Sequence, residues 1–229
     1  MSDAISNSLT ICRADGSENW NLLTTYKLAM GNTDYIGDPE LETFKVDVPG
    51  RKGILDMSEA LVGYPVFKTR EISVHLGGNR PKNDWDLIIS SLRMMYDGRI
   101  CKIIFDNDTS YYWTGRVRIR NFKRKGRIGE FDLVMTADAY KHKVTPVVDA
   151  YTAPDTVTIR SYAIPISPMF TASGGAISVV LVKDGEDVYT YQVADGETKR
   201  IPGLMTNTDY EVQIRGTADC SVTYEELSL

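Results

Sequence analysis

The sequence predicts a mainly β protein with two domains: an α+β first domain, in which one helix packs on a sheet, and a small β-sandwich. Three observations lead to this prediction: short runs in which apolar and polar residues alternate, one longer run with helical spacing, and a change of composition near Ala150. Residues 1–150 carry 21 Lys+Arg against 20 Asp+Glu, whereas residues 151–229 carry 5 against 11. We place the domain limits at 1–148 and 149–229.

Several segments of the first domain have the alternation of a half-buried strand. They span residues 43–48, 66–74, 100–105 and 130–136. The turn-forming run Asp106-Asn107-Asp108 separates the third strand from the aromatic residues Tyr111 to Trp113. This arrangement predicts a hairpin over residues 103–114.

One helix is predicted in the first domain. Asn83 or Asp84 is available as its N-cap, and Gly98 follows its end. Because apolar side chains recur every three or four residues, they form one stripe that we expect to lie on the sheet. The stripe consists of Trp85, Ile88, Ile89, Leu92, Met95 and Tyr96.

Residues 143–156 have the composition of a linker between the two domains, with two prolines and several small polar residues. The three cysteines, Cys12, Cys101 and Cys220, are too few and too scattered for a disulfide framework, and no CxxC pair suggests zinc. A reducing compartment fits this usage best. No secretory leader or membrane span is apparent, so we expect a protein made in the cytosol.

The sequence carries no recognisable catalytic motif. His75 lies in a strand pattern and His142 follows the last strand of the first domain, and neither belongs to an HExxH helix. Nucleophile elbows and glycine-rich phosphate loops are lacking too. The run Asp106-Asn107-Asp108 has no EF-hand glycine or closing glutamate, which favours a plain turn over calcium. We therefore expect no enzyme, no metal and no cofactor.

The segment VPGRKGILDMSEALVGYPVFKTR, residues 48–70, lies between two predicted strands. Pro49-Gly50 and Lys52-Gly53 are turn-forming pairs, and residues 56–61 are long enough for only one helical turn. The segment is therefore predicted to be a long, partly ordered crossover. Glycine and charged residues are common in any long connection, so composition alone assigns no function to this segment.

Residues 38–76 resemble the N-terminal domain of the distal tail protein of bacteriophages with long non-contractile tails, the siphoviruses. Later segments agree with the same family: the amphipathic helix, the strand at 98–106, Gly115-Arg116-Val117, and the ending at 137–141. Ala139 stands where many relatives have proline. The matching positions are Pro39-Glu40, Val48-Pro49-Gly50, Gly53, Leu55-Asp56, Ser58-Glu59, Gly63, Phe67 and Arg70.

The second domain is similar to the small, galectin-like β-sandwich of that family. The runs that resemble it are 163–168, 200–204 and 220–224. Residues 203–214 also resemble a stretch of fibronectin type III domains, so the sequence predicts a sandwich more firmly than a named one.

The family resemblance implies an assembly role and a tail-tube-like first domain with a sandwich or barrel sheet. Distal tail proteins form a six-membered ring at the tail end, which joins the tube and tape-measure protein to tip or receptor-binding proteins and leaves a channel for DNA. The implied location is the virion tail tip, with assembly in the host cytoplasm. A ring needs two different complementary patches on each copy. As a hypothesis, the contact residues are Arg51, Lys52, Ile54, Leu55, Asp56, Glu59, Leu61 and Arg70.

Residues 116–127 form the most basic segment. The arginines at 116, 118 and 120 share one face of a predicted strand, and residues 123–127 are predicted to be an exposed turn. Because the first domain is neutral overall, we favour a solvated or interfacial hairpin over nucleic-acid binding. DNA would then pass the ring without specific binding. The basic set is Arg116, Arg118, Arg120, Lys123, Arg124 and Lys125.

Three other functions stay open at this point. The main alternative is a carbohydrate-binding accessory module of the host-recognition apparatus, in which Tyr189 and Tyr191 on one strand face would stack on a sugar. Sheet packing explains such pairs more often. A DNA-binding protein would use the basic segment with the aromatic residues at 111–113. A plain tail-tube subunit would not need the domain after Ala150.

Overall fold

The structure is a computed structural model, and it describes residues 8–31, 35–47, 49–50, 53–60, 63–159, 165–202 and 211–229. Within these ranges the chain is mainly β, which confirms the predicted fold class. The chain divides into two compact units, Met1–Val144 and Thr145–Leu229, which we call unit 1 and unit 2. The division precedes the predicted limit after Val148, which falls inside a strand of unit 2.

Unit 1 contains two helices and a set of antiparallel strands in its described part. The helices are α1 (Leu22–Tyr26) and α2 (Lys82–Tyr96). The strands are β1 (Leu9–Arg13), β2 (Trp20–Asn21), β3 (Ala29–Met30), β4 (Tyr35–Ile36), β5 (Lys45–Val46), β6 (Leu55–Asp56), β7 (Arg70–Asn79), β8 (Ile100–Phe105), β9 (Tyr111–Lys125), β10 (Ile128–Ala137) and β11 (Lys141–Lys143).

The main sheet of unit 1 has the strand order β2-β1-β8-β9-β10-β7-β3. Helix α2 covers one face of this sheet, and its predicted stripe is buried except for the partly buried Met95. Alternate residues of the central strands meet the helix, such as Val117 on β9 and Phe131 on β10, both fully buried. The opposite face of the sheet carries the polar residues of the same strands. The core of unit 1 thus includes the residues between α2 and the sheet, together with Leu22 of α1 and Leu28.

The start of α2 differs from the sequence-based prediction. Its N-cap position is held by Pro81, which makes no side-chain cap hydrogen bond, so the predicted caps Asn83 and Asp84 were wrong. Asp84 lies in the first turn, where its carboxylate interacts favourably with the helix dipole and contacts Arg80 at 3.7 Å. The end is as predicted, since Gly98 follows it with a φ of +74°.

Two strand predictions are confirmed, and two are wrong in their limits. The strand at 100–105 and the hairpin over 103–114 are confirmed, because β8 pairs with β9 with Ile103 opposite Trp113. The strand at 130–136 is confirmed and is slightly longer. The strands at 43–48 and 66–74 were wrong in their limits, because only β5 forms in the first and β7 begins at Arg70 in the second.

Unit 2 is a small β-sandwich, as predicted. Two four-stranded sheets with the orders β12-β19-β14-β17 and β13-β18-β15-β16 share one apolar core, in which Phe170 from the first sheet meets Val179 from the second. The strands are β12 (Val147–Thr152), β13 (Asp155–Val157), β14 (Met169–Ser173), β15 (Ile177–Lys183), β16 (Glu186–Val193), β17 (Thr198–Arg200), β18 (Glu211–Gly216), β19 (Asp219–Tyr224) and β20 (Leu227–Ser228).

The predicted linker at 143–156 is wrong over most of its length. Strand β12 pairs with β19 along Val147 to Thr152, and Val147 and Tyr151 pack against the sandwich core. Its alternate residues therefore have the burial pattern of a strand. The two prolines of this segment had favoured the prediction of a linker. Neither helix within the described ranges of the chain could span a bilayer.

Candidate assembly surfaces

The described parts of residues 38–68, between β4 and β7, pair with one another. Backbone hydrogen bonds of 2.8 Å join the Lys68 N–H to the Glu40 carbonyl and the Glu42 N–H to the Val66 carbonyl. Further out, β5 pairs with β6, with Val46 opposite Leu55. The predicted crossover is therefore an irregular two-stranded ribbon. We call its described residues, 38–47, 49–50, 53–60 and 63–68, the arm.

The arm and the edge strand before it expose large apolar side chains. Phe44 is 61% exposed and Ile54 is 66% exposed. Leu41 and the residues of β4, Tyr35 and Ile36, are exposed too. These five belong to a set of fifteen exposed large apolar residues found throughout the described chain, so a third of the set falls within residues 35–54. This segment is therefore a candidate interaction surface.

The predicted contact residues of the arm have different environments. Ile54 and Glu59 are exposed, whereas Leu55 is half-buried within the ribbon. Asp56 accepts hydrogen bonds from the hydroxyl and the backbone N–H of Ser58, which hold the pKa of its carboxyl below the usual range. Asp56 therefore shapes the turn of the arm. Arg51, Lys52 and Leu61 lie outside the described residues.

Arg70 has a structural position at the base of the arm. Its side chain lies over the ring of Trp113, 4.8 Å from the ring centroid, and the residue is only 8% exposed. Burial lowers the pKa of its guanidinium, and the nearby charge of Asp38 raises it. The guanidinium is thus covered within unit 1, and we leave Arg70 out of the proposed contact surface.

Strand β9 presents the basic residues much as the alternation predicts. Val117 and Ile119 are buried, whereas Arg116, Arg118 and Arg120 are exposed on the opposite face. Beyond Lys125, only Gly126 and Arg127 form the turn into β10, which makes the hairpin tip shorter than predicted. Gly126 has a φ of +62°, as the first position of a type II′ turn requires.

A β-bulge changes the direction of the side chains near the tip. Asn121 has a φ of +55°, and the pairing with β10 shifts between Asp132, opposite Arg120, and Glu130, opposite Lys123. The shift keeps Lys123 on the face of Arg120. We call Arg116, Arg118, Arg120 and Lys123 the cation column.

The bulge also separates Arg124 from the other predicted basic residues. Arg124 lies on the helix side, where it donates to the Lys82 carbonyl at 3.0 Å and to the Asp86 carboxylate at 3.2 Å. Phe122 turns to the same side and packs on Trp85 with ring centroids 5.8 Å apart. Arg124 thus anchors the hairpin to the start of α2, and Lys125 is exposed near the tip. The sequence alternation alone could not show this split.

A histidine and two carboxylates lie together beside the cation column. The His75 Nδ1 is 2.8 Å from the Asp132 carboxylate, and its Nε2 is 3.5 Å from the Glu130 carboxylate. Asn121 also donates to Asp132, at 2.6 Å. The hydrogen bond with Asp132 raises the pKa of His75. Partial burial favours neutral Asp132, but its hydrogen bonds from His75 and Asn121 lower its pKa overall.

We expect unit 1 to lose a little stability as the pH rises above neutrality. A histidine whose pKa is raised by folding stabilises the protein fully below its unfolded pKa of about 6.5, and this contribution disappears as the pH rises through the folded pKa. Because the side chains are half-exposed, the loss is under about 1 kcal/mol. Denaturant midpoints at pH 6 and pH 8 measure it.

Asp132→Asn is the matched variant for this pH effect. Without the Asp132 carboxylate, the NMR titration of His75 moves toward its ordinary pKa, and the difference between the two denaturant midpoints shrinks. An unchanged titration curve would contradict the assigned ion pair.

The buried cysteines of the described chain have raised pKa values. Burial raises the pKa of the Cys101 and Cys220 thiols to about 11, so both are protonated near neutral pH. Among the side chains that the structure describes, no group of three or more His, Cys, Asp or Glu is placed to hold a metal ion. His142 stacks on Tyr112, with ring centroids 5.1 Å apart.

Unit 2 has its tyrosine pair on the core side of an edge strand. Tyr191 lies opposite Val179 and Tyr189 opposite Leu181, which are both core residues. Tyr191 packs against the core, and Tyr189 is exposed at the edge. Tyr191 therefore takes part in core packing, whereas the Tyr189 ring is open enough to stack on a sugar.

The polar face of the second sheet of unit 2 is internally hydrogen-bonded. Arg215 forms a two-pronged ion pair with Asp187 and also donates to Gln213. Ser178 donates to Gln192 at 3.0 Å. These polar groups are already satisfied by one another, and the tyrosine pair belongs to the other side of the sheet.

The two units define a class of fold: a helix-backed antiparallel sheet with an exposed arm, followed by a small β-sandwich. No family model matches the chain, and no curated protein matches it. Among solved structures, the chain is similar to the Dit protein (gp 19.1) of SPP1, which is described as a paradigm of the hub adsorption apparatus in phages that infect Gram-positive bacteria. This comparison has a TM-score of 0.65 at 14% identity and covers 96% of this chain and 99% of that one. The predicted resemblance is confirmed at the level of the fold.

Proposed function

We propose that the chain is a structural protein of a bacteriophage virion. In this proposal six copies form a ring at the distal end of a long non-contractile tail. The observation that supports this most is the fold shared with SPP1 Dit over 96% of this chain and 99% of that one. The coverage of both chains is almost end to end, so the likeness extends over both unit 1 and unit 2.

In this proposal the ring joins the tail tube and tape-measure protein to the tip or receptor-binding proteins, and DNA passes through its channel without specific binding. Unit 2, as a galectin-like sandwich, is a docking platform for tip proteins. The protein acts in the virion tail tip after assembly in the host cytoplasm. In this proposal the protein acts through surface contacts and catalyses no reaction.

The exposed apolar residues of the arm support self-assembly. A ring that closes by head-to-tail contacts needs one projecting patch and one different receiving patch on every copy. In this proposal the arm is the projecting patch: Phe44 and Ile54 supply exposed apolar area, and Glu59 supplies charge for register. The apolar area would drive contact, and the charge would select the partner surface.

We expect the purified chain to form particles of about six times the 25.6 kDa protomer mass, with an annular outline in electron micrographs. Sedimentation velocity gives the mass, and particle imaging gives the outline.

Phe44→Ser with Ile54→Ser should shift the population toward the monomer, since both side chains are exposed in the single chain. Leu87→Ser on α2, equally exposed, is the matched control.

Two results would contradict the proposed function. One is a chain that stays monomeric even when tail-tube protein is supplied as a template. The other is a phage that builds complete, infectious tails without this gene product.

A further inference from the structure

We propose that residues 40–44 of the arm of one copy lie across the cation column of a second copy, with Glu40 and Glu42 facing Arg120 and Arg118. This inference rests on the proposed ring and names the two surfaces that meet in it. The face of the main sheet opposite α2 is thus the receiving patch of the ring contact.

Lys123 of the cation column lies opposite Glu130, but the two arginines at the other end have no carboxylate opposite them. Arg118 lies opposite Val134 and Arg116 opposite Thr136, so neither has an acidic cross-strand neighbour on β10. Asp132, opposite Arg120, is already occupied by His75 and Asn121. Within the described ranges, no salt bridge links the cation column to any carboxylate of unit 1. Exposed guanidinium groups in this arrangement suit an acidic partner surface.

The arm supplies the complementary charge. Residues 38–60 contain six carboxylates and three cations, a net charge of 3 − 6 = −3. Backbone hydrogen bonds with Val66 and Lys68 hold Glu40 to Glu42 extended. In the proposed contact this conformation continues to Phe44, which places Glu40, Glu42 and Phe44 on one side. All three are exposed, and only Glu40 has a described ion pair, a 3.6 Å contact with the exposed Lys68.

The spacing of the two surfaces matches. Residues two apart on a strand are separated by about 6.6 Å, both along the arm and along β9. Alignment of Glu40 with Arg120 and Glu42 with Arg118 brings Phe44 to Arg116. The cross-strand neighbour of Arg116 is Ile100, an apolar residue that is 51% exposed. Phe44 therefore meets a guanidinium and an apolar side chain, both of which an aromatic ring accommodates.

Charge reversal tests this pairing. The expected result is that Glu42→Arg and Arg118→Glu each raise the concentration needed for assembly about tenfold or more, because each places like charges together. The variant with both changes restores assembly to nearly that of the unchanged chain. Arg93→Glu makes the same change of charge on α2, on the other side of the sheet, and is expected to leave assembly unaltered.

A cysteine pair tests the contact without requiring a stable ring. A mixture of Glu42→Cys and Arg118→Cys proteins should form a disulfide between unlike chains under mild oxidation, whereas each protein alone should form few. The native cysteines are buried and do not compete. Circular dichroism of every variant confirms that it is folded.

The remaining outcomes distinguish the proposed pairing from the proposed ring. Rings that form equally well in all reversal variants would overturn the pairing and leave the ring intact. A chain that neither assembles nor cross-links would overturn both. Duplex DNA binding that weakens with salt and is lost in Arg118→Glu, while assembly is unchanged, would assign the cation column to nucleic acid and overturn the pairing.

Discussion

Replacing Gly115 with alanine is expected to prevent unit 1 from folding stably, with a loss of about 4 kcal/mol or more. Gly115 lies in β9 between Cys101 of β8 and Ala137 of β10. A methyl group on Gly115 would collide with the backbone carbonyl of Thr136 and would lie 2.6 Å from the Ala137 Cα. Because both obstacles are backbone, they can move only if the strands separate. Soluble yield and denaturant unfolding measure the effect.

Gly77→Ala is the matched control for this prediction. Gly77 also lies within a strand of the main sheet, but its added methyl group would be 3.2 Å from the Gly129 carbonyl, a contact that a small shift relieves. We expect this variant to fold with a modest loss of stability. Equal stability of the two variants would show that β9 and β10 can separate at Gly115 without cost.

The sequence was most informative where one physical pattern dominates. The helix stripe from Trp85 to Tyr96 and the strand at 100–105 could be predicted because burial against one face imposes a regular period. The sandwich was predicted less directly, from turn residues and a family resemblance. In each case many residues contribute to the same pattern.

The arm could be located but not described from sequence. Its segments were predicted as one strand, a loop and the start of another, whereas Leu41 bridges Phe67 across the ribbon. Pairing between segments so far apart leaves no local period, and the exposed apolar residues break the alternation on which strand prediction depends. The concentration of Phe44 and Ile54 on a turn-rich segment was the available sequence signal.

The cation column needed the structure because of one backbone irregularity. Strict alternation from Arg116 would place Arg124, not Lys123, with the exposed arginines. The bulge at Asn121 reverses this assignment, and nothing in the sequence around Asn121 requires a bulge. The pairing of His75 with Asp132 was missed as well, since it joins residues on β7 and β10 that are 57 positions apart.

Trp85→Ala is expected to destabilise unit 1 by about 3–5 kcal/mol. The Trp85 side chain is fully buried between α2 and the sheet, and its Nε1 donates to the Arg127 carbonyl at 2.9 Å. The ring also lies on Gly129, where an added methyl group would be 2.7 Å from the Trp85 Cδ2. Alanine would leave a cavity that the rigid sheet below cannot fill. Thermal and denaturant unfolding measure the loss.

Trp85→Phe separates packing from the hydrogen bond. Phenylalanine keeps most of the apolar contact with Phe122 and Gly129 but cannot donate to the Arg127 carbonyl, so we expect a smaller loss of about 1–2 kcal/mol. Because that hydrogen bond fixes the hairpin tip to the helix, the Trp85→Phe variant should also show faster amide exchange near Gly126. If Trp85→Phe cost as much as Trp85→Ala, the hydrogen bond would outweigh the packing, and the assignment of Trp85 as a core residue would fail.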